Sequence, residues 1–308
     1  MTRISLAQRF QQIGSNLICS DPSFSWKILL CFTERVPPSM NAVTMDAHAY
    51  TALPIAAARA VAHDRSGALI SDPLAQKLVA GEHQLIRAGA NVEYMTLRKL
   101  IGDELALHQH ERGTRQIVSL GAGMDSRAYR LGLHDTSFFE VDKQGLFDVK
   151  EPLVADVPLQ CAARHTVVGT IGLFDLPAAL RSAGFDSAQP TTWLMEGLLP
   201  YLTVPIMKQL AADIGALSAP GSALWGDGFS KTSVDRGMEF HGVRFESGFD
   251  NYDDLFRAAG FETSQAIDFS GVWLDRKSQT VRIDQSYALT PQKARGRQMC
   301  LLVRAYKQ

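Results

Sequence analysis

Val118-Ser119-Leu120-Gly121-Ala122-Gly123-Met124-Asp125-Ser126-Arg127 is the stretch on which the reading of this chain turns. An apolar run ends in two glycines one residue apart, followed by the cap-like pair Asp125-Ser126 and a segment able to turn helical. That order predicts a strand, a tight turn and a helix start, the construction by which an α/β sheet makes a ligand site. The glycines allow close backbone approach to a ligand, and a helix N-terminus at this place attracts an anionic group. A dinucleotide fingerprint needs a third glycine three positions after the second, and Ser126 stands there instead. The turn therefore suits a ligand that presents a ribose or a carboxylate better than one that presents a pyrophosphate. On its own, a GxG is equally an ordinary strand–helix turn.

Outward from this turn, strands alternate with helices. Gln116 to Leu120 reads as the first strand, then Ser137 to Val141, Thr166 to Thr170, Thr192 to Met195 and Ser222 to Gly226. Helical segments such as Leu176 to Ala183 and Val204 to Leu217 lie between them. This rhythm predicts an α/β fold with a doubly wound, mostly parallel sheet of Rossmann-like type. A helical region precedes the sheet. It comprises Ala47 to His63, a helix opened by Asp72-Pro73, and Glu93 to His110 with apolar residues three and four apart. In the tail, Tyr252 to Ala259 reads as a helix. Phe261 to Phe269 and Gln298 to Tyr306 then read as an antiparallel pair at the sheet edge, because no crossover helix joins them.

The 308 residues are 46% hydrophobic and 20% charged with a formal net charge of -1, an ordinary globular composition that gives no support for a nucleic-acid partner. No apolar run approaches membrane-helix length. The four cysteines, Cys19, Cys31, Cys161 and Cys300, show no CxxC spacing, so no metal site is expected and they read as reduced thiols of a cytoplasmic protein. Residues 1–43 read as a leader, poorly ordered or loosely docked, with Met40 and Met45 as alternative starts. Residues 44–308 read as a single domain in which 44–114 form an N-terminal helical cap.

Two acids stand where such a sheet binds ligands. The second strand ends in Phe138-Phe139-Glu140-Val141-Asp142, about 20 residues past the glycine turn, where a carboxylate hydrogen-bonds ribose hydroxyls. Glu140 and Asp142 both qualify, and Asp142 lies nearer the carboxyl end. The fourth strand ends in Met195-Glu196-Gly197, which places Glu196 at the same rim. There it either accepts from a cationic group or caps the next turn of chain.

With these residues in view, the chain resembles the leucine carboxyl methyltransferase family, in particular its bacterial branch of polyketide-type O-methyltransferases that use S-adenosylmethionine. The resemblance is carried by Ile117 to Leu131, by Phe139-Glu140-Val141-Asp142, by Met195-Glu196-Gly197-Leu198-Leu199-Pro200-Tyr201-Leu202 and by Ile70-Ser71-Asp72-Pro73-Leu74-Ala75. It runs from about Thr51 to about Leu202. It implies that Gly121, Ala122 and Gly123 approach the methionine end of the cofactor and that Asp142 binds its ribose. It further implies that Glu196 lies against the methionyl part and that Arg98 holds the cofactor carboxylate. The family's Asp-Leu pair, which contacts adenine, is replaced here by Ile171-Gly172, leaving an apolar wall.

Methyl transfer from a sulfonium is an in-line displacement with a neutral leaving group, so holding nucleophile and methyl together in a dry pocket is the main requirement. A carboxylate acceptor is already ionised near neutral pH, whereas a hydroxyl acceptor profits from a base. The expected activity is O-methylation of a carboxylate, or of a hydroxyl, on a small molecule such as a polyketide or other secondary metabolite. Tyr201 is the candidate for gripping the acceptor. Arg236, His241 and Arg244 are candidates on a segment covering the cleft, and Phe240, Phe245 and Phe249 are candidates for an apolar acceptor pocket. Rival readings are a nicotinamide-dependent oxidoreductase, against which Ser126 speaks, and a non-catalytic nucleoside-binding protein of the same fold.

Overall fold

The computed structural model describes residues 45–65, 71–82, 85, 92–275, 280–288 and 300–308. The leader at 1–43, with Cys19 and Cys31, lies outside the described residues. The cap region contributes α1 (Ala47–Tyr50), α2 (Ala52–Arg65) and α3 (Val92–Glu111). Asp46 caps α1 by accepting from the Ala49 N–H at 2.8 Å. The sheet region then runs β1 (Gln116–Leu120), β2 (Leu133–Asp142), α4 (Gln144–Val154), β3 (Cys161–Val168), α5 (Leu176–Ser182), β4 (Thr191–Met195), α6 (Val204–Leu217) and β5 (Ala223–Phe229). After it come α7 (Lys231–Asp235), the hairpin β6 (Glu239–Phe240) and β7 (Val243–Arg244), and α8 (Tyr252–Ala258). The tail holds β8 (Thr263–Asp268), β9 (Val272–Asp275), β10 (Thr280–Ile283) and β11 (Cys300–Tyr306).

The main sheet has the order β3-β2-β1-β4-β5-β11-β8. The first five strands are mutually parallel. β11 pairs antiparallel with both β5 and β8, so the tail strands form the expected antiparallel pair at this edge, with β8 outermost. The strand order reverses between β1 and β4, and the crevice at that switch point is where a doubly wound sheet binds its ligand. All five residues of β1 are buried, as a central strand covered on both faces requires. The two-residue period splits its apolar side chains. Ile117 joins Phe138, Leu194 and Trp225 in a core under α2, α3 and α4. Val118 and Leu120 join Phe139, Trp193 and Leu224 in the core under α5, α6 and α8.

Two expected helices are absent. The segment after the glycine turn does not continue as an α-helix but makes one 3-10 turn, Arg127–Tyr129, before β2 begins at Leu133. Gly132, at φ +66°, turns the chain back too early for a helix to develop. Without one there is no macrodipole, so the attraction for an anion expected at that helix start is not available. Likewise Asp72-Pro73 opens turns and a 3-10 segment, Lys77–Val79, rather than an α-helix. Asp72 is fully buried and bonded to other side chains instead of capping.

Candidate active site

Parallel pairing sets Leu120 of β1 beside Val141 of β2, so the chain leaves β1 level with Asp142. Gly121 and Gly123 have φ of +62° and +51°, a conformation glycine reaches without strain. Space is tight for a side chain as well. A Cβ on Gly121 would come 3.2 Å from Leu198, and one on Gly123 would come 3.1 Å from Ala52. The turn is tied to β2 at two points. Ala122 N–H donates to the Val141 carbonyl at 3.1 Å, and Gly123 N–H donates to the Asp142 carboxylate at 2.7 Å. Burial pushes the Asp142 carboxyl up, against the pull of the Gly123 and Lys143 amides and of the Lys150 charge.

Asp142 opens onto a cleft of about 340 Å³ at the switch point. Gly121, Ala122, Gly123, Arg98, Glu196 and Tyr201 all line it, so the residues that the family resemblance assigns to the cofactor, together with Tyr201, meet in one place. His48 of α1, Thr51 between the two helices, and Ala52 and Ile55 of α2 form its roof, and Ile171, Leu198, Leu202 and Ile206 an apolar wall. Of the two candidate acids at the end of β2, Glu140 and Asp142, the structure separates the roles. Glu140 is buried and bonded to Lys150 and Arg164 at 2.6 and 2.7 Å, and only Asp142 reaches the cleft.

Around the cleft, and lining it through Arg59, Lys99, Asp125 and Glu196, lies a network of buried charges that, apart from Glu196, sequence reasoning missed. Arg127, 1% exposed, donates to Asp103 at 2.7 Å and Asp125 at 2.8 Å, and also pairs with Glu196. Lys99 bonds Asp125 at 2.7 Å and lies 3.7 Å from Glu196. Arg130 joins Asp103 at 2.7 Å, while Asp72 receives Ser126 at 2.7 Å and faces Arg59 at 3.3 Å. Burial opposes ionisation of Asp125, but Arg127 and Lys99 outweigh it and hold this acid well below its ordinary value. For Lys99, burial and the neighbouring Arg127 prevail over its carboxylates and bring the amine down to about 8. Gly102 of α3 makes room for the pair above it, since a Cβ there would lie 2.2 Å from Glu196.

Arg98 bonds Asp227 at 3.1 Å, and Asp227 also accepts from Tyr94 and from the Gly197 N–H, each at 2.6 Å. The Arg98 Nε is buried and has no partner among the described residues. Burial disfavours its charge, yet Asp227 and the other nearby acids raise its ionisation further. A second, smaller space of about 20 Å³ adjoins the cleft through Ile55, Met95, Arg98, Gly197 and Tyr201. Phe229, Phe240 and Phe245 wall it. Phe245 stacks on Phe229 at 5.1 Å and meets the Tyr201 ring edge-on at 5.2 Å. Burial pushes the Tyr201 hydroxyl upward, against the pull of the neighbouring Thr51 hydroxyl and the Arg98 charge.

The other candidates fall elsewhere. Arg236 and Arg244 are exposed and do not line the cleft, nor does His241, which sits in the β6–β7 turn at φ +49°. Phe249 packs against Tyr252 in the opposite core.

The profile described as Leucine carboxyl methyltransferase matches residues 52–215. A relative from Mycobacteroides abscessus, provisionally described as an S-adenosyl-L-methionine-dependent methyltransferase, is 40% identical over 216 residues, covering 64% of this chain and 70% of that protein. One from Streptomyces coelicolor with the same provisional description is 38% identical over 192 residues, 56% of this chain and 63% of its own length. Among solved structures, a DUF574-family protein from Streptomyces avermitilis superposes with a TM-score of 0.49 at 13% identity, over 82% of this chain and 97% of that one. That last likeness is too distant to bear on function.

Proposed function

Since the chain belongs to the leucine carboxyl methyltransferase family, we propose that it methylates an oxygen, that of a carboxylate on a small-molecule acceptor. It is an S-adenosylmethionine-dependent methyltransferase. The residues fit that cofactor. The glycine turn is a cradle that any Cβ would fill, Asp142 offers a carboxylate to ribose hydroxyls, and Arg98 keeps an unused buried N–H for an anionic group. In this reading Arg98 holds the cofactor carboxylate and Glu196 lies beside the methionyl part. Ile171, Leu198 and Ile206 supply an apolar face for adenine in place of a side-chain acid.

When bound, the cofactor supplies an electrophilic methyl group. The protein's share is to orient and to exclude water. The buried charge network fixes Glu196 through Arg127 and Lys99 before any ligand arrives, so little reorganisation is left for the reaction. The α1–α2 roof and the aromatic wall keep the acceptor side dry, which strengthens polar contacts inside. Tyr201, between the cleft and the aromatic space, donates to an acceptor oxygen, and a carboxylate there needs no base.

The observation that carries the carboxylate reading is that Asp227, the acid lining the aromatic space beside Tyr201, already accepts from Tyr94, Arg98 and the Gly197 N–H and so is not free to take a proton from a hydroxyl acceptor. The test is transfer of a tritiated methyl group from S-adenosylmethionine to mixed small-molecule acids and alcohols. An ester product releases labelled methanol in mild alkali. A product stable to alkali assigns the acceptor oxygen to a hydroxyl instead.

A further inference from the structure

Lys150 lies on α4, beyond the cleft lining, and its side chain is completely buried. Its ammonium makes two bonds, one to Glu140 at 2.6 Å and one to the backbone carbonyl of Gly123 at 3.1 Å. Gly123 is therefore held from both ends. Its N–H is fixed by Asp142 and its carbonyl by Lys150.

A buried amine next to a buried acid is an expensive arrangement when hydrophobic side chains would fill the space. Glu140 alone does not explain it, because Arg164 already bonds the same Glu140 oxygen at 2.7 Å. What Lys150 adds is the reach to the glycine turn. It also adds charge close to Asp142, where it counters the burial that pushes that carboxyl up.

We propose that Lys150 is a positioning residue for the cofactor: it clamps the Gly123 carbonyl and so holds the glycine turn, and with it Asp142, in place for the ribose. The inference rests on the cofactor reading above and adds a residue that does not itself touch the ligand. The charged groups around Asp142 make the direction definite. Lys143 beside it is paired with Asp46 at the start of α1, and His48 stands nearby on that roof. From its own strand comes Glu140, neutralised by Lys150 and Arg164. Removing the Lys150 charge leaves Glu140 with one cation and Asp142 with less support, so Asp142 takes up its proton at higher pH.

The experiment is calorimetric binding of S-adenosylhomocysteine to the full chain between pH 5 and 8.5. It compares wild type, Lys150→Met, and the double variant Lys150→Met/Glu140→Gln. In the double variant Arg164 keeps Glu151 as its partner, at 2.7 Å, and no buried acid is stranded. At pH 8 the single variant is expected to bind about three- to tenfold more weakly, the effect of one lost hydrogen bond. Its affinity is expected to start falling at higher pH than that of wild type. The double variant is expected to recover thermal stability while keeping the weak, pH-shifted binding. Should Lys150→Met fail to fold, the double variant carries the comparison. Wild-type affinity and pH profile in the double variant overturn the proposal and reduce Lys150 to a counter-ion for Glu140. Failure of wild type to bind S-adenosylhomocysteine overturns the cofactor reading instead.

Discussion

Gly123 donates its backbone N–H to the Asp142 carboxylate at 2.7 Å, so one side chain both shapes the glycine turn and faces the cleft. Replacing Asp142 with alanine removes both services. Cofactor affinity is expected to fall by at least about tenfold, roughly 1.4 kcal/mol, as for a lost bond to a charged group. Asn in its place still accepts from Gly123 but lacks the charge, and is expected to fall between. Calorimetry with S-adenosylhomocysteine checks both, and unchanged affinity in Asp142→Ala removes this residue from the site.

Tyr201 stands where the cleft meets the aromatic space. Its ring is held edge-on by Phe245 and His48 at 5.2 and 5.5 Å, so Tyr201→Phe keeps the packing and loses only the hydroxyl. Turnover of the acceptor acid is expected to drop about tenfold, one lost hydrogen bond in the transition state. S-adenosylhomocysteine affinity is expected to stay within about twofold, since the cofactor's contacts are elsewhere. Equal loss of cofactor binding and turnover would move Tyr201 to the cofactor side.

Much of the site was legible because its signals are local. The apolar run into Gly121-Ala122-Gly123, and the acids ending β2 and β4, each announce themselves within a few residues. The helix expected after the glycine turn was a misreading of Asp125 and Arg127. Both look like a cap and an exposed first turn, yet they are spent on each other, on Lys99 and on Glu196. A signal was present in Gly132, which leaves too little chain for a helix before β2. Lys99 and Asp103, four apart on α3, carry no local signal of burial. Only packing of that face over the carboxyl ends of the strands buries them. Asp227 was legible and overlooked. It sits in Trp225-Gly226-Asp227-Gly228 near the end of β5, by the same logic that picks out Asp142.

Arg127 is the hub of the buried network, bonded to Asp103, Asp125 and Glu196. Arg127→Met leaves those three acids with less compensation, although Arg130 still serves Asp103 and Lys99 still serves Asp125. Destabilisation of about 3 kcal/mol is therefore expected, the low end for a broken buried pair. Urea denaturation followed by circular dichroism measures it. A loss of under about 1 kcal/mol, the scale of an exposed pair, contradicts the role assigned to Arg127.

The same network sets the acid limit of the fold. Asp72, Asp103 and Asp125 all have carboxyls lowered from the ordinary 3.8. In each, burial is outweighed by paired cations: Arg59 and Arg130 for Asp72, Arg130 and Arg127 for Asp103, Arg127 and Lys99 for Asp125. A folded value below the unfolded one gives stability that is complete above the unfolded value and is lost as pH falls from there through the folded values. Their contribution is thus expected to be level from about pH 7 to 5 and to collapse below about pH 4. Asp142, raised by burial, does not add to this loss. Urea midpoints across pH 2.5 to 7 test it, and Asp125→Asn is expected to flatten the acid limb.

Lys99 sends the opposite end of the pH range in a definite direction. Its amine is brought to about 8 in the folded chain from an ordinary 10.5, by burial first and Arg127 next. Below 8 the ammonium is charged in both states and its burial cost is borne in full. Between 8 and 10.5 the folded form sheds its proton while the unfolded form keeps it, so the unfolded state binds more protons and stability rises with pH. Subtracting the urea stability of Lys99→Met from that of wild type isolates this contribution, and the difference is expected to climb from pH 8 to 10. In a 13C-lysine spectrum the Lys99 Cε signal is expected to move with a midpoint near 8, ahead of the exposed lysines. A Lys99 signal still unmoved at pH 9 would mean that Asp125 and Glu196 hold the ammonium more firmly than burial and Arg127 oppose it, and the difference in stability would then stay flat.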